Sequence, residues 1–255
     1  YFGKIGRVAD NSLRYRPDDH RLYWSSIRSI EIGPDNSVWL AGWESRLARY
    51  FPEDDHWEIY DSDLSDAQVS DVVAAEDQNG LYWLGTNQGI VKMSSEECHF
   101  IPYESELGIV EGEIDPASGD IWWATSNNGG ILLNPESSSL SFPIRHLKGR
   151  RFSDMQKGLD DTFWFAGYKE LIRVFDGERQ VISIDELPTA TAVGIGPDFR
   201  PWIGTNEGIF YQTGQEWVAL TSADGLADNQ IVDILTASDG TLWVLTKGGI
   251  SQYSP

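Results

Sequence analysis

The chain has 255 residues, enough for one large all-β domain or two small ones, and its 40 acidic against 19 basic residues give a net charge of −21. A field of that sign repels phosphate backbones and anionic headgroups, which argues against nucleic acid as a partner and against direct insertion into a membrane. The single cysteine, Cys98, excludes an intrachain disulfide and any thiol cluster for zinc or iron–sulfur.

In chain order, the first feature is Arg14-Tyr15-Arg16-Pro17-Asp18-Asp19-His20, which mirrors the segment from Arg49 to His56. His20–Trp24 is therefore predicted as a fourth strand that lacks a first, with Tyr1 to about Arg16 left as a third strand or hairpin. From about residue 27 a unit of roughly 41 residues recurs, a period typical of repeat architectures. Its anchor is a tryptophan in a short apolar run: SVWLAG at Trp39, LYWLGT at Trp83, DIWWAT at Trp122, TFWFAG at Trp164, RPWIGT at Trp202 and TLWVLT at Trp243. Apolar and β-branched residues alternate over four to six positions between turn formers, so each copy predicts four short strands. In the second copy these are Val69–Ala74, Leu81–Thr86, Gly89–Met93 and His99–Tyr103, with a hairpin turn at Asp77-Gln78-Asn79-Gly80. The last copy supplies Ile231–Ala237, Leu242–Thr246 and Gly249–Tyr253, turning at Asp239-Gly240, and stops without its fourth strand. No stretch sustains a 3.6-residue apolar period, which predicts little helix.

A four-stranded antiparallel unit cannot bury both faces alone, and radial repetition covers those faces while protecting the edges. The expected fold is all-β: a β-propeller forming one domain over residues 1–255, with six blades of four antiparallel strands and the N-terminal strand closing the last blade. Seven blades is the alternative. All six repeat tryptophans are expected between blades, because large aromatic rings dominate core energetics.

Two copies carry a family likeness: Leu64-Ser65-Asp66-Ala67-Gln68-Val69 through Trp83-Leu84-Gly85-Thr86-Asn87-Gln88-Gly89-Ile90, and Leu226-Ala227-Asp228-Asn229-Gln230-Ile231 through Trp243, Thr246, Gly248, Gly249 and Ile250. They resemble the two-component regulator propeller repeat, whose pattern runs from a small-polar turn and Val/Ile to Asp-x-x-Gly, Trp-Ile-Gly-Thr and Gly-Leu. Gly42-Trp43-Glu44 and Gly167-Tyr168-Lys169 depart from it. The resemblance implies a propeller of the sensor type, and such domains commonly lie outside the cell. The scarcity of cysteine agrees with an extracellular or periplasmic location. No apolar run of 18 residues and no basic-then-apolar leader stands in the sequence, which predicts neither a membrane span nor a retained signal peptide.

Signs of catalysis are few. His20, His56, His99 and His146 fall near fourth strands and lack metal-ligand spacing. GxSxG, GxxxxGK[ST] and HExxH are absent from the sequence, and paired carboxylates carry little information in so acidic a chain. The expected function is a non-catalytic ligand- or protein-binding module, with no catalytic residues and no cofactor beyond a possible calcium. A carbohydrate-active or streptogramin-lyase-like enzyme, or a structural scaffold subunit, are the alternatives.

Loops leading into the first strand and turns joining the second to the third emerge at the same end of a blade, and loops carry function more often than scaffold does. The candidate ligand contacts there are Trp43, Glu44, Asn87, Gln88, Asn127, Tyr168, Lys169 and Asn206, with Arg28 and Arg151 nearer the channel. Trp43 and Tyr168 place aromatics where a small residue suffices, which suits a small polar ligand, a glycan or a protein partner. Aligning Val69-Ser70-Asp71, Phe152-Ser153-Asp154 and Ile231-Val232-Asp233 sets three carboxylates at one position of the inner strand, a candidate ring for calcium. Ser29, Gly112 and Val193 are the expected equivalents in the other copies.

Overall fold

The computed structural model describes residues 6–9, 12–15, 27–33, 35–42, 46–60, 67–73, 82–93, 98–101, 108–115, 117–142, 151–158, 160–175, 178–184, 187–196, 198–214, 216–237 and 240–253. The fold is all-β, a six-bladed β-propeller of three- and four-stranded antiparallel sheets. The chain forms two compact units, Tyr1–Ile109 and Val110–Pro255.

The first unit opens with a hairpin of β1 (Gly6–Ala9) and β2 (Ser12–Tyr15). The first repeat sheet has the order β3 (Ile27–Ile32), β4 (Val38–Gly42), β5 (Arg46–Phe51) and β6 (His56–Ile59). The second has β7 (Val69–Val73), β8 (Tyr82–Thr86), β9 (Gly89–Met93) and β10 (Cys98–Phe100). The strands expected in this copy are thus each found to within a few residues at their ends.

The third sheet comprises β11 (Ile109–Ile114), β12 (Ile121–Thr125), β13 (Gly130–Asn134) and β14 (Ser139–Ser141). The boundary between the units falls inside β11. The fourth sheet is β15 (Phe152–Lys157), β16 (Phe163–Gly167), β17 (Glu170–Phe175) and β18 (Glu178–Ser183). The fifth is β19 (Ala190–Ile195), β20 (Pro201–Thr205), β21 (Ile209–Thr213) and β22 (Glu216–Leu220). The sixth has three strands, β23 (Ile231–Thr236), β24 (Leu242–Thr246) and β25 (Gly249–Tyr253). His20–Trp24, expected to close that sheet, lies outside the described residues. The helical content among the described residues is one three-residue 3-10 turn, Ser222–Asp224, capped by Thr221.

Four of the repeat tryptophans pack their own sheet onto the next. Trp39 and Ala41 of β4 share a core with Val69, Val72, Tyr82 and Leu84 of the second sheet. Trp122 packs with Phe152, Phe163 and Phe165, Trp164 with Val193, Ile195 and Ile203, and Trp202 with Ile231, Ile234, Leu242 and Val244. The ring of Trp83 is fully buried as well. Trp243 corrects the expectation, being 41% exposed. In β24 the alternation places Leu242 and Val244 on the face toward the fifth sheet, so Trp243 and Leu245 point the other way. Among the described residues of this unit no further sheet follows, and the two side chains line an open groove of about 300 Å³ with Asp233, Leu235 and Ile250.

Several tryptophans are capped by a cation from the neighbouring strand. Arg49, paired opposite Trp39, lies over its ring at 4.9 Å, and Lys92 opposite Trp83 at 5.1 Å. Arg173, opposite Trp164, sits 5.6 Å from that ring. A turn aspartate fixes two of these cations: Asp35 bonds Arg49, and Asp160 lies 3.5 Å from Arg173. Although its slight burial works the other way, the Ser37 hydroxyl and amide and the Arg49 charge hold the Asp35 carboxyl below the usual range.

The inner strands share a second device. Register shifts at Ile27/Ser29, Val69/Asp71, Phe152/Asp154, Ala190/Ala192 and Ile231/Asp233 mark a β-bulge near the start of five of them. Where the bulged residue carries a hydroxyl, it reaches the next sheet. Ser70 Oγ donates to the Ile109 carbonyl at 2.7 Å, Ser153 Oγ to the Ala190 carbonyl at 2.9 Å and Thr191 Oγ1 to the Ile231 carbonyl at 2.9 Å. Ser153→Ala removes the donor of one link and is expected to lower stability by about 1 kcal/mol in a denaturant titration. A loss below about 0.3 kcal/mol would show that the link adds nothing.

Candidate ligand-binding face

The turn between second and third strands follows one plan in four sheets. The threonine ending the second strand donates from Oγ1 to a glycine carbonyl across the turn: Thr86 to Gly89, Thr125 to Gly129, Thr205 to Gly208 and Thr246 to Gly249, at 2.7–2.8 Å. The same oxygen accepts turn amides, from Gln88 at 3.1 Å, Asn128 at 2.8 Å and Glu207 at 3.0 Å. Gly89, Gly208 and Gly249 have φ of 144°, 127° and 150°, which L side chains rarely adopt. This is the physical content of the Thr-x-x-Gly run in the repeat.

The candidates on these turns divide between the units. In Tyr1–Ile109, Asn87 and Gln88 are exposed on the β8–β9 turn. Asn87 also ties that turn to the segment before β7: its Oδ1 accepts the Gln68 amide at 2.8 Å and its own amide donates to the Gln68 carbonyl at 3.0 Å. In Val110–Pro255, Asn127 and Asn206 are exposed on the corresponding turns, and Asn127 Oδ1 accepts from Asn128 Nδ2 at 3.0 Å. Arg28 occupies the bulge of β3. Trp43 and Glu44 lie outside the described residues.

In the fourth sheet Gly167 replaces the threonine and a two-residue turn, Tyr168-Lys169, leads straight into β17. Lys169 takes φ of 56° to make it, and its carbonyl accepts the Ile184 amide at 3.1 Å. Gly167 pairs with Phe152, and a Cβ at Gly167 would lie 3.1 Å from the Arg151 carbonyl. That close approach brings the turn beside Arg151. Tyr168 is 67% exposed, Arg151 is exposed and Lys169 half-buried. The fourth sheet thus presents an aromatic ring and two cations at one end, in a chain whose net charge is −21.

The three aligned aspartates accept hydrogen bonds from nearby groups. Ser29 Oγ donates to Asp71 Oδ1 at 2.7 Å. Asp154, 9% exposed, accepts the Met155 amide at 2.8 Å and, across to β19, the Val193 amide at 2.6 Å. Asp233 accepts the Ile234 amide at 2.7 Å. Among the described residues no three His, Cys, Asp or Glu side chains are grouped to hold a metal. Sequence alignment missed part of this row. Ser70 bonds the Ile109 carbonyl as Ser153 bonds that of Ala190, so Glu111 and Ala192 are the equivalents of Asp154, in place of Gly112 and Val193. On β3, burial and the charge of Asp71 push the Glu31 carboxyl up to about 7. Of the histidines, His56 and His99 are exposed on the fourth strands β6 and β10; His20 and His146 lie outside the described residues.

Comparison with known proteins agrees with the propeller fold. Residues 225–248 match the family described as two component regulator propeller, so the sixth copy is a repeat of that kind. The extracellular domain of the putative one component system BT4673 from B. thetaiotaomicron is similar over 96% of this chain and 35% of its own length, at 15% identity and a TM-score of 0.75. The chain thus spans about a third of that structure. A streptogramin B lyase is similar over 98% of this chain and 85% of its own, at 15% identity and a TM-score of 0.74. The virginiamycin B lyase from Staphylococcus aureus gives 90% and 84%, at 16% identity and a TM-score of 0.67. At these identities the likeness is one of fold. No curated protein sequence matches the chain. No helix among the described residues is long and apolar enough to cross a membrane.

Proposed function

We propose that the chain is a non-catalytic recognition module of the sensor type, acting outside the cell, and that it binds a small polar ligand, a glycan or a protein partner at the loop end of its fourth sheet. The observation that carries this reading is Tyr168, 67% exposed on a turn held by the left-handed backbone of Lys169, next to Arg151. Folding normally hides such a ring, and rigid aromatics beside arginine are the commonest anchors of binding surfaces. A two component regulator propeller repeat and the fold likeness to an extracellular domain support the sensor assignment. Trp43 and Glu44, at the same repeat position of the first sheet, belong to the same reading.

The test is a glycan and small-molecule array, together with affinity capture of protein partners, on the wild type and on Tyr168→Ala and Arg151→Ala. Each substitution is expected to weaken binding about tenfold or more, the range of an interface anchor, with little change in melting temperature because both side chains are exposed. Binding indifferent to both substitutions would remove the site from this end of the sheet. Chemical turnover of an arrayed compound, abolished by one point substitution, would instead establish a lyase or hydrolase.

A further inference from the structure

The inner strands of the unit Val110–Pro255 bring two carboxyl groups onto one amide. The Met155 amide is 2.8 Å from Asp154 Oδ1 and 3.1 Å from Glu111 Oε2, so one N–H holds an oxygen of each carboxyl group, and Asp154 is 9% exposed. Two carboxyl oxygens that converge on one amide lie close enough to share a proton as well. Like charges at such a separation in a buried site cannot both remain ionised. β11 adds Glu113, which accepts from Gln156 Nε2 at 3.3 Å, and Lys157 of β15 is paired with Asp161 at 2.7 Å. The sequences of β12, β16 and β19 contain no titratable side chain, and β23 contributes the negative Asp233.

We propose that Glu111 and Asp154 share one proton at neutral pH, and that this proton is a pH-sensitive clasp joining the inner strands β11, β15 and β19. Asp154 reaches all three: it lies on β15, shares the Met155 amide with Glu111 of β11 and accepts the Val193 amide of β19. Loss of the proton leaves two anions where one hydrogen bond stood and forces the inner strands of the third and fourth sheets apart. Burial is the main cause that raises the affinity of Asp154 for a proton, and the charge of Asp233 adds to it. The bonds from Glu111 and from the Val193 and Met155 amides pull the other way, and the net direction is upward. The folded chain therefore binds more protons than the unfolded chain between the ordinary carboxylate value and the raised one, and stability falls as pH rises through that window.

Infrared difference spectroscopy of the intact chain between pH 5 and pH 8 tests this, together with melting temperatures over the same range. The expected result, read in a Glu31→Gln background that removes the other raised carboxyl, is a protonated-carboxyl stretch that titrates out above the usual carboxylate range and is missing once Asp154→Asn or Glu111→Gln is added. The wild-type melting temperature should fall by a few degrees across the range, and that slope should shrink in Glu111→Gln. If Asp154→Asn does not fold, Glu111→Gln decides alone, because its carboxamide keeps an acceptor and adds a donor. The proposal is overturned if the Glu31→Gln background shows no carboxyl band above the usual carboxylate range, or if band and slope survive unchanged when Glu111→Gln is added to it.

Discussion

Trp39→Ala is expected to destabilise the protein by about 3–5 kcal/mol, the range for removing a buried aromatic, and to lower the melting temperature by roughly 10 °C or more. The ring is fully buried, 4.5 Å from the Tyr82 ring centroid and 5.9 Å from that of Tyr60. Its loss also leaves the Arg49 guanidinium over an empty space while Asp35 and Tyr82 still hold it there. Trp243→Ala is the internal comparison. That ring is 41% exposed and is expected to cost less than half as much as Trp39. Equal losses in calorimetry would show that the sixth ring is covered in solution as the first is.

The second large effect is expected at Gly194 on β19. A Cβ there would collide with Ile234 Cγ2 and lie 2.9 Å from Ile234 Cβ on the neighbouring inner strand. Both positions are tightly packed, so Gly194→Ala should cost about 1–3 kcal/mol by overpacking. Ile234→Ala removes the nearer obstacle and on its own should cost about 2–5 kcal/mol through the cavity it leaves. The double variant should then be more stable than the sum of the two losses predicts, by about 1 kcal/mol. Strict additivity in a double-mutant cycle would mean that the backbone, and not Ile234, absorbs the methyl group.

Strand positions were legible because the repeat states them six times. Turn glycines punctuate the runs, and the three described strands of the last copy fall where the repeat puts them. Trp243 was not legible for the same reason. A repeat treats every copy alike, whereas burial of the ring depends on what stands beyond it. Within its unit the sixth sheet has a described neighbour on one side, the fifth sheet. The inner-strand carboxylates were half legible. Their types and rough spacing stood in the sequence, but a bulge places two residues against one, and no composition pattern reports that slip. The usable signal was the hydroxyl: Ser70, Ser153 and Thr191 each sit at the bulge, and counting from them puts Glu111 in line with Asp154. At the loop end, the replacement of Thr-x-x-Gly by Gly167-Tyr168-Lys169 pointed to Tyr168. The adjacency of Arg151 depends on the β15–β16 pairing, which the spacing alone does not state.

The links formed by Ser70, Ser153 and Thr191 are unequal in what they demand of their two ends. The donor must be a residue with a hydroxyl, placed at the bulge. The acceptor is a main-chain carbonyl, which every amino acid supplies, and it is filled here by isoleucine twice and alanine once. A blade therefore specifies this bond to the next one without constraining which residue accepts it. Such one-sided joints leave the identity of the accepting residue open, so the first strand of a copy can change side chains at that position and still be held by the copy before it.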